Sequence, residues 1–322
     1  MKSSYVLGID WGGTRIKWGA YEPGNGMILE GIFDSNAQGE LAENVAKLFA
    51  QLETGCLKLG TTPKAIGLAL TGVVDPQKGV VMLPGKVRGL EGYPIVGEIG
   101  KHFGVPTVAD NDGRAAMLAE WKFGAARGCN WAVVLTIGTG VGSGVLLDGK
   151  ILRDRHLQFG TQLGHLVLDA SADQLCLTGV RGSGEIFCSA TALALAVRSA
   201  LQRGLPSSLS ELYARDPRLV DFKAIIEQGV ALGDTVCMDE LARWTRQLGW
   251  LLVNAVHAYA PEIIVLGGGA MLGAEHFLPA LQAQVNSHLF RYPKGEPIPV
   301  VVSELCENAG VLGACSLALD LL

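Results

Sequence analysis

Few residues of the chain are charged, and basic residues do not outnumber acidic ones. Only 18% of its 322 residues are Asp, Glu, Lys or Arg, and the net charge is −5. This charged fraction is below the roughly 25% that is usual in globular proteins and indicates that much of the chain is interior. No basic cluster stands out. Because affinity for nucleic acid comes mainly from neutralising phosphates, we expect no nucleic-acid partner.

The chain also lacks an unbroken apolar run and a paired set of cysteines. The apolar part of its longest uncharged stretch, 131–147, is interrupted by four glycines, which is typical of a pair of strands and not of a membrane span. The seven cysteines are scattered and odd in number. The first residues show no apolar segment typical of a signal peptide. We therefore expect a reduced, cytoplasmic protein without membrane contact.

Glycine, by contrast, is abundant, and one glycine-rich pattern occurs twice. The 43 glycines follow no fixed period. The pattern reads Gly-Ile-Asp-Trp-Gly-Gly-Thr at 8–14 and Thr-Ile-Gly-Thr-Gly-Val-Gly at 136–142, each time between two apolar runs. A glycine loop between strands lets backbone amides approach a polyanion, because no side chain stands in the way. Two such loops predict two halves that face one phosphate chain, as in a nucleotide-dependent phosphotransferase.

Apolar periodicity predicts the same order of elements in both halves. In the first half we predict strands at 5–11, 15–21, 27–33, 65–70 and 105–109, and helices at 41–59, 95–103 and about 114–123. In the second half we predict strands at 131–137, 143–147, 150–153, 263–266 and 299–303, and helices at 185–202, 219–229, 235–259 and 309–321. This order predicts a duplicated α/β fold with a cleft between the halves. We place a smaller domain at 1–112 plus 308–322 and a larger one at 113–307.

The ordered motifs resemble those of the ROK (repressor, ORF, kinase) family of sugar kinases. They span nearly the whole chain: 8–14, Asn111-Asp112, 136–142, Gly164-His165, and Pro-Glu-Ile-Ile-Val-Leu-Gly-Gly-Gly at 261–269. The resemblance implies a duplicated actin-like ATPase (ribonuclease H-like) fold, with two domains flanking a cleft. It also implies glucokinase-like transfer of the γ-phosphoryl group of Mg-ATP to a hydroxyl of a hexose or amino-hexose.

The resemblance assigns three glycine segments to the nucleotide. They comprise Gly12, Gly13 and Thr14 near the transferred phosphate, Gly138, Thr139 and Gly140 in a phosphate-binding hairpin, and Gly267, Gly268 and Gly269 beside the adenosine. From the residues alone, a plain turn, a structural hairpin and a strand-to-helix turn remain alternatives. Asp10 stands at a strand end beside the first turn, where a carboxylate suits the water shell of Mg²⁺. Lys17 stays open between a solvated strand residue and a phosphate contact.

The segment Asp110-Asn111-Asp112 precedes a predicted helix. From the local sequence, Asp112 is either a helix N-cap or an ionised carboxylate stabilised by the helix dipole, and Asp110 competes for both roles. The resemblance favours Asp112 as the general base that accepts the proton of the attacking hydroxyl. It assigns Asn111 to a hydrogen bond with the sugar.

Four further residues are assigned to the sugar by the resemblance: Gly72, Gln162, His165 and Glu185. Gln162 stands where the family has glutamate. The glutamine amide is neutral and can donate as well as accept hydrogen bonds. His165 could instead be an ordinary structural histidine, and Glu185 a helix N-terminal carboxylate.

The zinc loop of many relatives, Cys-x-Cys-Gly-x-x-Gly-Cys, is altered here. Thr178 and Ser183 replace two of its three cysteines, which leaves Cys176 and His165. A structural zinc needs four good ligands, so we expect none.

Two other functions stay open. A sugar-responsive transcription regulator of the same family would carry an N-terminal helix-turn-helix, whereas this sequence begins at its first strand. A non-catalytic ROK-type sugar-binding sensor is suggested by Gln162 and the lost cysteines. For any of the three, the expected partners are a small-molecule sugar and, for the kinase, a nucleotide. The family resemblance also implies that the protein assembles as a homodimer or homotetramer.

Overall fold

Two five-stranded sheets with the same strand order organise the chain. The structure is a computed structural model and describes residues 4–83, 86–153, 162–290 and 295–322. The described residues form two compact units, one from Met1–Gly128, Ile151–Thr161 and Leu305–Leu322, the other from Cys129–Lys150 and Gln162–Glu304. In each sheet the chain first makes a three-stranded meander and then adds two parallel strands beside the first strand. The predicted duplicated α/β fold is confirmed.

The first sheet has the order β3-β2-β1-β4-β7. Its unit contains β1 Val6–Trp11, β2 Arg15–Glu22, β3 Gly26–Asp34, α1 Leu41–Leu59, β4 Ile66–Leu70, the small ribbon β5 Val74–Asp75 with β6 Val80–Val81, α2 Ile95–Phe103, β7 Thr107–Asn111 and α3 Asp112–Phe123. The last helix of the chain, Ala309–Leu319, also belongs to this unit.

That last helix lies directly on the first sheet, and glycines make the contact possible. A side chain at Gly8 of β1 or Gly67 of β4 would overlap the backbone of the helix. On its other side, a side chain at Gly313 would overlap the backbone of α3 at Ala115. Close backbone approach of this kind requires glycine. The last helix therefore packs closely against β1 and β4 on one side and against α3 on the other.

The second sheet has the order β10-β9-β8-β11-β12. Its unit contains β8 Ala132–Ile137, β9 Val141–Leu147, β10 Lys150–Ile151, α4 Gly184–Cys188, α5 Ala190–Gln202, α6 Ser210–Arg215, α7 Phe222–Ala224, α8 Thr235–Tyr259, β11 Ile263–Gly267, α9 Leu278–Ser287 and β12 Val300–Val302. The last helix of the chain, Ala309–Leu319, is then α10. None of the helices in these described stretches has the length and apolar character needed to cross a membrane.

Most predicted elements are confirmed, three of them to the residue (41–59, 95–103 and 235–259). The continuous helix predicted at 185–202 is wrong, because Ser189 is extended (φ −74°, ψ 159°) and caps α5 through Ala192 N–H. The helix predicted at 219–229 begins only at Phe222, as α7, and continues as a π-helix at Ile225–Gly229. The strand predicted to end at 109 continues to Asn111, since β7 pairs with β4 up to that residue.

The domain division predicted at residue 112 remains a proposal. In the structure α3, which begins at that residue, packs on α10 within the first unit.

Candidate active site

Polar residues collect where the parallel strands of the first sheet end. Asp10 of β1, Ala69 of β4 and Asp110 of β7 lie side by side in the strand register, one residue before the end of each strand. The carboxyl ends of parallel strands are where open α/β sheets bind ligands. Asn111 and Asp112 follow at this same edge.

Asn111 is the N-cap of α3. Its side-chain oxygen accepts hydrogen bonds from the amides of Gly113 (2.9 Å) and Arg114 (3.4 Å). Its amide group donates to the carbonyl of Gly72 and to Asp112 Oδ1, both at 2.9 Å. The structure therefore brings Gly72, Asn111 and Asp112 together, and the alternative that Asp112 is the N-cap is wrong.

Two of the carboxylates at this edge, those of Asp10 and Asp112, repel each other. Burial first, and then the charge of Asp112, raise the pKa of Asp10 to about 6, against an opposing effect of Lys17. Burial also raises the pKa of Asp112, while Lys86, Asn111 and Arg114 oppose the rise. Mg²⁺ keeps several waters and binds through one or two carboxylates plus phosphate oxygens. A pair of partly desolvated, mutually repelling carboxylates fits such an ion.

Lys17 has a protein partner. Its ammonium group donates to Glu307 Oε2 at 2.9 Å and to the Glu307 carbonyl at 3.1 Å. Lys17 also faces Asp10 across the β1–β2 pair. Lys17 thus forms an ion pair with an exposed partner, and the choice between a solvated strand residue and a phosphate contact stays open.

Asp110 is unsuited to the role of base. The residue is only 1% exposed, and its carboxylate accepts from the Asn111 amide at 2.8 Å and from Arg114 Nε at 2.7 Å. Arg153 forms a second ion pair with it. Sequence reasoning missed both arginines, although the spacing of four residues between Asp110 and Arg114 was an available signal.

The turn at Gly12-Gly13-Thr14 is tight and accessible. The Gly12 amide donates to the Arg15 carbonyl at 3.0 Å, and the Thr14 carbonyl accepts from Ser35 at 2.8 Å. Gly13 faces the stem of Lys86, since a Cβ placed on it would lie 3.0 Å from that side chain. Lys86 thus brings a positive charge to this turn.

The second glycine loop closes the β8–β9 hairpin. The Gly138 amide donates to the Gly140 carbonyl at 2.9 Å, and Thr139 at the tip is exposed. Glu185, in the first turn of α4, accepts from the Val141 amide at 3.1 Å and covers Gly140 so closely that a side chain there would overlap its carboxylate. The structure therefore brings Glu185 to the hairpin.

The triple glycine lies beside that hairpin as well. Gly267 pairs with Thr136 at the end of β11. Gly268 has φ +90°, and a Cβ on it would overlap the backbone of Ile137, whereas Gly269 faces open space. Gly268 and Gly269 are exposed. A bare backbone surface next to a hairpin is a suitable place for a flat ligand group to pack.

Gln162 precedes a 3₁₀ turn, Leu163–His165, that ends at His165 and is fixed to β9. The Leu163 amide donates to Ser143 Oγ at 3.0 Å, and a side chain at Gly164 would come within 2.7 Å of the Val141 carbonyl. Both predicted residues are half-buried. The turn therefore packs against β9, the strand that follows the glycine hairpin.

His165 also faces the altered zinc loop. Cys176 Sγ and Thr178 Oγ1 are 3.0 Å apart. Burial would raise the pKa of the Cys176 thiol, but the hydrogen bond with Thr178 and the nearby polar groups of Ser183 and His165 lower it to about 6. Within the described part of the chain, no three His, Cys, Asp or Glu residues are grouped so that they could hold a metal ion. That no zinc is bound remains a prediction.

A cavity of about 700 Å³ opens beside the hairpin in the second unit. Its wall includes Thr139 and Glu185 together with Trp244 and the facing side of α5. Trp244 is fixed by its indole N–H, which donates to the Ser189 carbonyl at 2.9 Å. The break between α4 and α5, which the sequence did not reveal, thus helps to shape this cavity.

Comparison with known proteins places these features in a family. The model of the ROK family matches residues 6–321. A glucokinase of Thermotoga maritima is 29% identical over 316 residues, 97% of this chain and 96% of its own, and a xylose repressor of Caldicellulosiruptor bescii is 25% identical over 98% of this chain and 78% of its own.

Among solved structures, a Streptomyces griseus ROK family glucokinase in complex with glucose and AMPPNP superposes with a TM-score of 0.84. It is 23% identical, and the match covers 98% of this chain and 100% of that one. The match confirms the actin-like ATPase fold expected from the motifs.

Proposed function

The chain belongs to the ROK family, and on that premise we propose that it is an ATP-dependent sugar kinase. It would transfer the γ-phosphoryl group of ATP to a hydroxyl of a hexose or amino-hexose. The observation that carries the proposal is the edge of the first sheet. There Asn111 caps α3 and orients Asp112 through a 2.9 Å hydrogen bond, with Asp10 on the neighbouring strand end.

In this proposal Asp112 is the general base. Its carboxylate accepts the proton of the attacking hydroxyl as the phosphoryl group moves across. Asn111 binds the sugar and Gly72 lines its site, and the hydrogen bond between them supports this assignment. Glu185, Gln162 and His165 are proposed as further sugar-binding residues. Because phosphoryl transfer depends mostly on positioning and charge neutralisation, no covalent role for the protein is needed.

The backbone of the glycine segments binds the nucleotide. Gly12, Gly13 and Thr14 contact the transferred phosphate, and the hairpin Gly138-Thr139-Gly140 contacts the rest of the phosphate chain. The triple glycine at 267–269 packs against the adenosine, which the open backbone at Gly269 supports. Asp10 would hold Mg²⁺ through water, and the ion would neutralise charge on the phosphates.

A sugar-binding sensor is the second candidate, and the similarity to a repressor keeps it in view. Gln162 in place of the family's glutamate is the residue that favours it. Asp10, Asp112 and both glycine loops favour the kinase, since a sensor has no need of a base and a phosphate site. For the assembly we propose a homodimer or homotetramer.

A coupled ADP-release assay over a panel of hexoses and amino-hexoses tests the proposal. We expect sugar-dependent ADP release from at least one member, lost in the Asp112→Asn variant. Calorimetry with the same sugars identifies the alternative, because a sensor binds a sugar without turnover. Failure to release ADP with every sugar that binds would contradict the kinase.

A further inference from the structure

A buried ion cluster lies directly behind the proposed base. Asp110 is 1% exposed and Arg114 is completely buried. Arg114 approaches one oxygen of Asp110 with Nε at 2.7 Å and Nη2 at 2.6 Å, and Arg153 pairs with the other oxygen. Two guanidinium groups thus share one carboxylate, which leaves these three side chains with an excess of one positive charge.

The cluster is bonded to the backbone that carries the predicted sugar-binding and base residues. Asp110 Oδ1 accepts a hydrogen bond from the backbone amide of Asn111 at 2.8 Å, which fixes the last residue of β7. Arg114 is bonded at both ends, because its own amide donates to the Asn111 side chain while its guanidinium group holds Asp110. The joint between β7 and α3 is therefore closed by an N-cap on one side and an ion pair on the other.

Stability alone is a poor reason for this arrangement. Removing the Asp110 carboxylate and the Arg114 guanidinium group from water costs free energy that their attraction does not reliably recover, and apolar residues of similar volume often serve as well. Fixed orientation is the better-supported use of such a cluster, and here the oriented residues are Asn111 and Asp112.

We propose that Asp110, Arg114 and Arg153 form a positioning site that fixes Asn111 and Asp112 for phosphoryl transfer. The inference rests on the proposed kinase function. The three side chains act through the β7–α3 joint and not by contact with substrate. A misplacement of about 1 Å costs on the order of 100-fold in rate when a reaction depends on alignment.

The charge of the cluster acts in the same direction. The charged groups that face Asp112 are Asp10 from β1, Lys86 from the loop before α2, and Arg114 from α3. Burial raises the pKa of Asp112, and Lys86 and Arg114 counter it. A base must be ionised to accept a proton, so the charge of Arg114 favours the reactive form of Asp112 against the larger effect of burial.

Arg153→Met is the variant that tests the proposal, because Arg153 is 26% exposed and its loss leaves the Asp110–Arg114 pair in place. We expect kcat to fall about 10-fold or more and the KM for the sugar to rise, with the KM for ATP nearly unchanged. Arg153→Lys should recover part of the loss. The more disruptive Arg114→Met, where it folds, should in addition move the acidic limb of the kcat/KM profile to higher pH.

Lys122→Met is the matched control. Lys122 lies on α3 and forms an ion pair with Asp320 that does not involve Asp110. This variant should retain the kinetic constants of the wild type, whatever its melting temperature. The inference is overturned by an Arg153→Met enzyme with wild-type kcat and sugar KM, or by equal changes in the sugar and ATP constants.

The two possible failures are distinguishable. A wild-type protein that turns over no sugar contradicts the proposed function, and the inference falls with it. A wild-type protein that turns over a sugar while Arg153→Met and Lys122→Met behave alike contradicts the positioning site alone.

Discussion

The two sheets have the same topology, but different residue types stand at the ends of their strands. In the first, β1 and β7 end in or lead into carboxylates and an amide, namely Asp10, Asn111 and Asp112. In the second, β8 and β11 lead into glycines, and the nearby carboxylate of Glu185 is bound to a backbone amide of the hairpin. Both sheets thus offer bare backbone at a glycine turn, Gly12-Gly13 after β1 and Gly138-Thr139-Gly140 after β8, and only the first adds carboxylates from its own strand ends.

This difference indicates a division of labour. Carboxylates can accept protons and hold the hydration shell of a cation. Backbone amides without side chains can approach phosphates and flat rings. Substitutions at the acidic edge should therefore alter turnover or charge, whereas substitutions at the glycine edge should alter backbone geometry and nucleotide binding.

The largest effect is expected at Asp112. The variant Asp112→Asn keeps the shape and the hydrogen bonds but removes the proton acceptor, and we expect kcat to fall by roughly 10²–10⁴. Nucleotide affinity, measured by calorimetry with AMP-PNP, should stay within a few-fold of the wild type. A variant that remains fully active would break the division between the two edges.

The next effect concerns the glycine edge. Gly268→Ala places a Cβ against the Ile137 backbone at φ +90°, and we expect a loss of about 1–3 kcal/mol or more in the free energy of unfolding. Gly269→Ala is the matched control, because its Cβ meets open space. Urea denaturation compares the two variants, and equal losses would refute the close packing of β8 and β11 at this point.

The stability of the acidic edge should depend on pH. Because the folded protein raises the pKa of Asp10 to about 6, the ionised carboxylate destabilises the fold, and this penalty develops as the pH rises from about 4 to 6. Asp10→Asn should therefore add about 1–3 kcal/mol to the free energy of unfolding at pH 7.5 and nothing below about pH 4.

The same substitution should lower kinase activity, since it removes the proposed partner of the Mg²⁺ hydration shell. Denaturation curves of the two proteins at a series of pH values provide the test. Equal free energies of unfolding for the wild type and the variant at pH 7.5 would show that burial and the charge of Asp112 do not destabilise the ionised Asp10 carboxylate.

The smallest effect is expected at the altered zinc loop of the second unit. Thr178→Val removes the hydroxyl that lies 3.0 Å from Cys176 Sγ. The pKa of Cys176, about 6 in the wild type, should rise, which thiolate absorbance near 240 nm can follow in a protein whose other cysteines are replaced by serine. Zinc analysis of the purified wild type should find no stoichiometric metal.

Much of the fold was predictable from the sequence because local signals agree with the packing. Helix α8 begins after the N-cap Asp234 and follows an apolar stripe to Tyr259. The errors arise where tertiary contacts decide. Nothing in the apolar run around Ser189 reveals the break that Trp244 supports, and β7 continues through Asp110 only because β4 pairs with it.

For the site, motif spacing pointed to the right edge of each sheet but not to the local roles. The sequence left Asp110, Asn111 and Asp112 as competing caps and bases. The structure separates them by burial and by partners: Asp110 lies in an ion cluster, Asn111 caps the helix, and Asp112 is left at the edge. Arg153 could not be associated with them, since it is distant in sequence and meets Asp110 only in the folded chain.

The central claim is that the Asp112 carboxylate accepts the proton of a sugar hydroxyl. A crystal structure with AMP-PNP and the sugar that is turned over tests this most directly. We expect the attacking hydroxyl within about 2.6–3.2 Å of a carboxylate oxygen of Asp112. A sugar bound with all of its hydroxyls beyond hydrogen-bond reach of Asp112, either directly or through one water, would contradict the account.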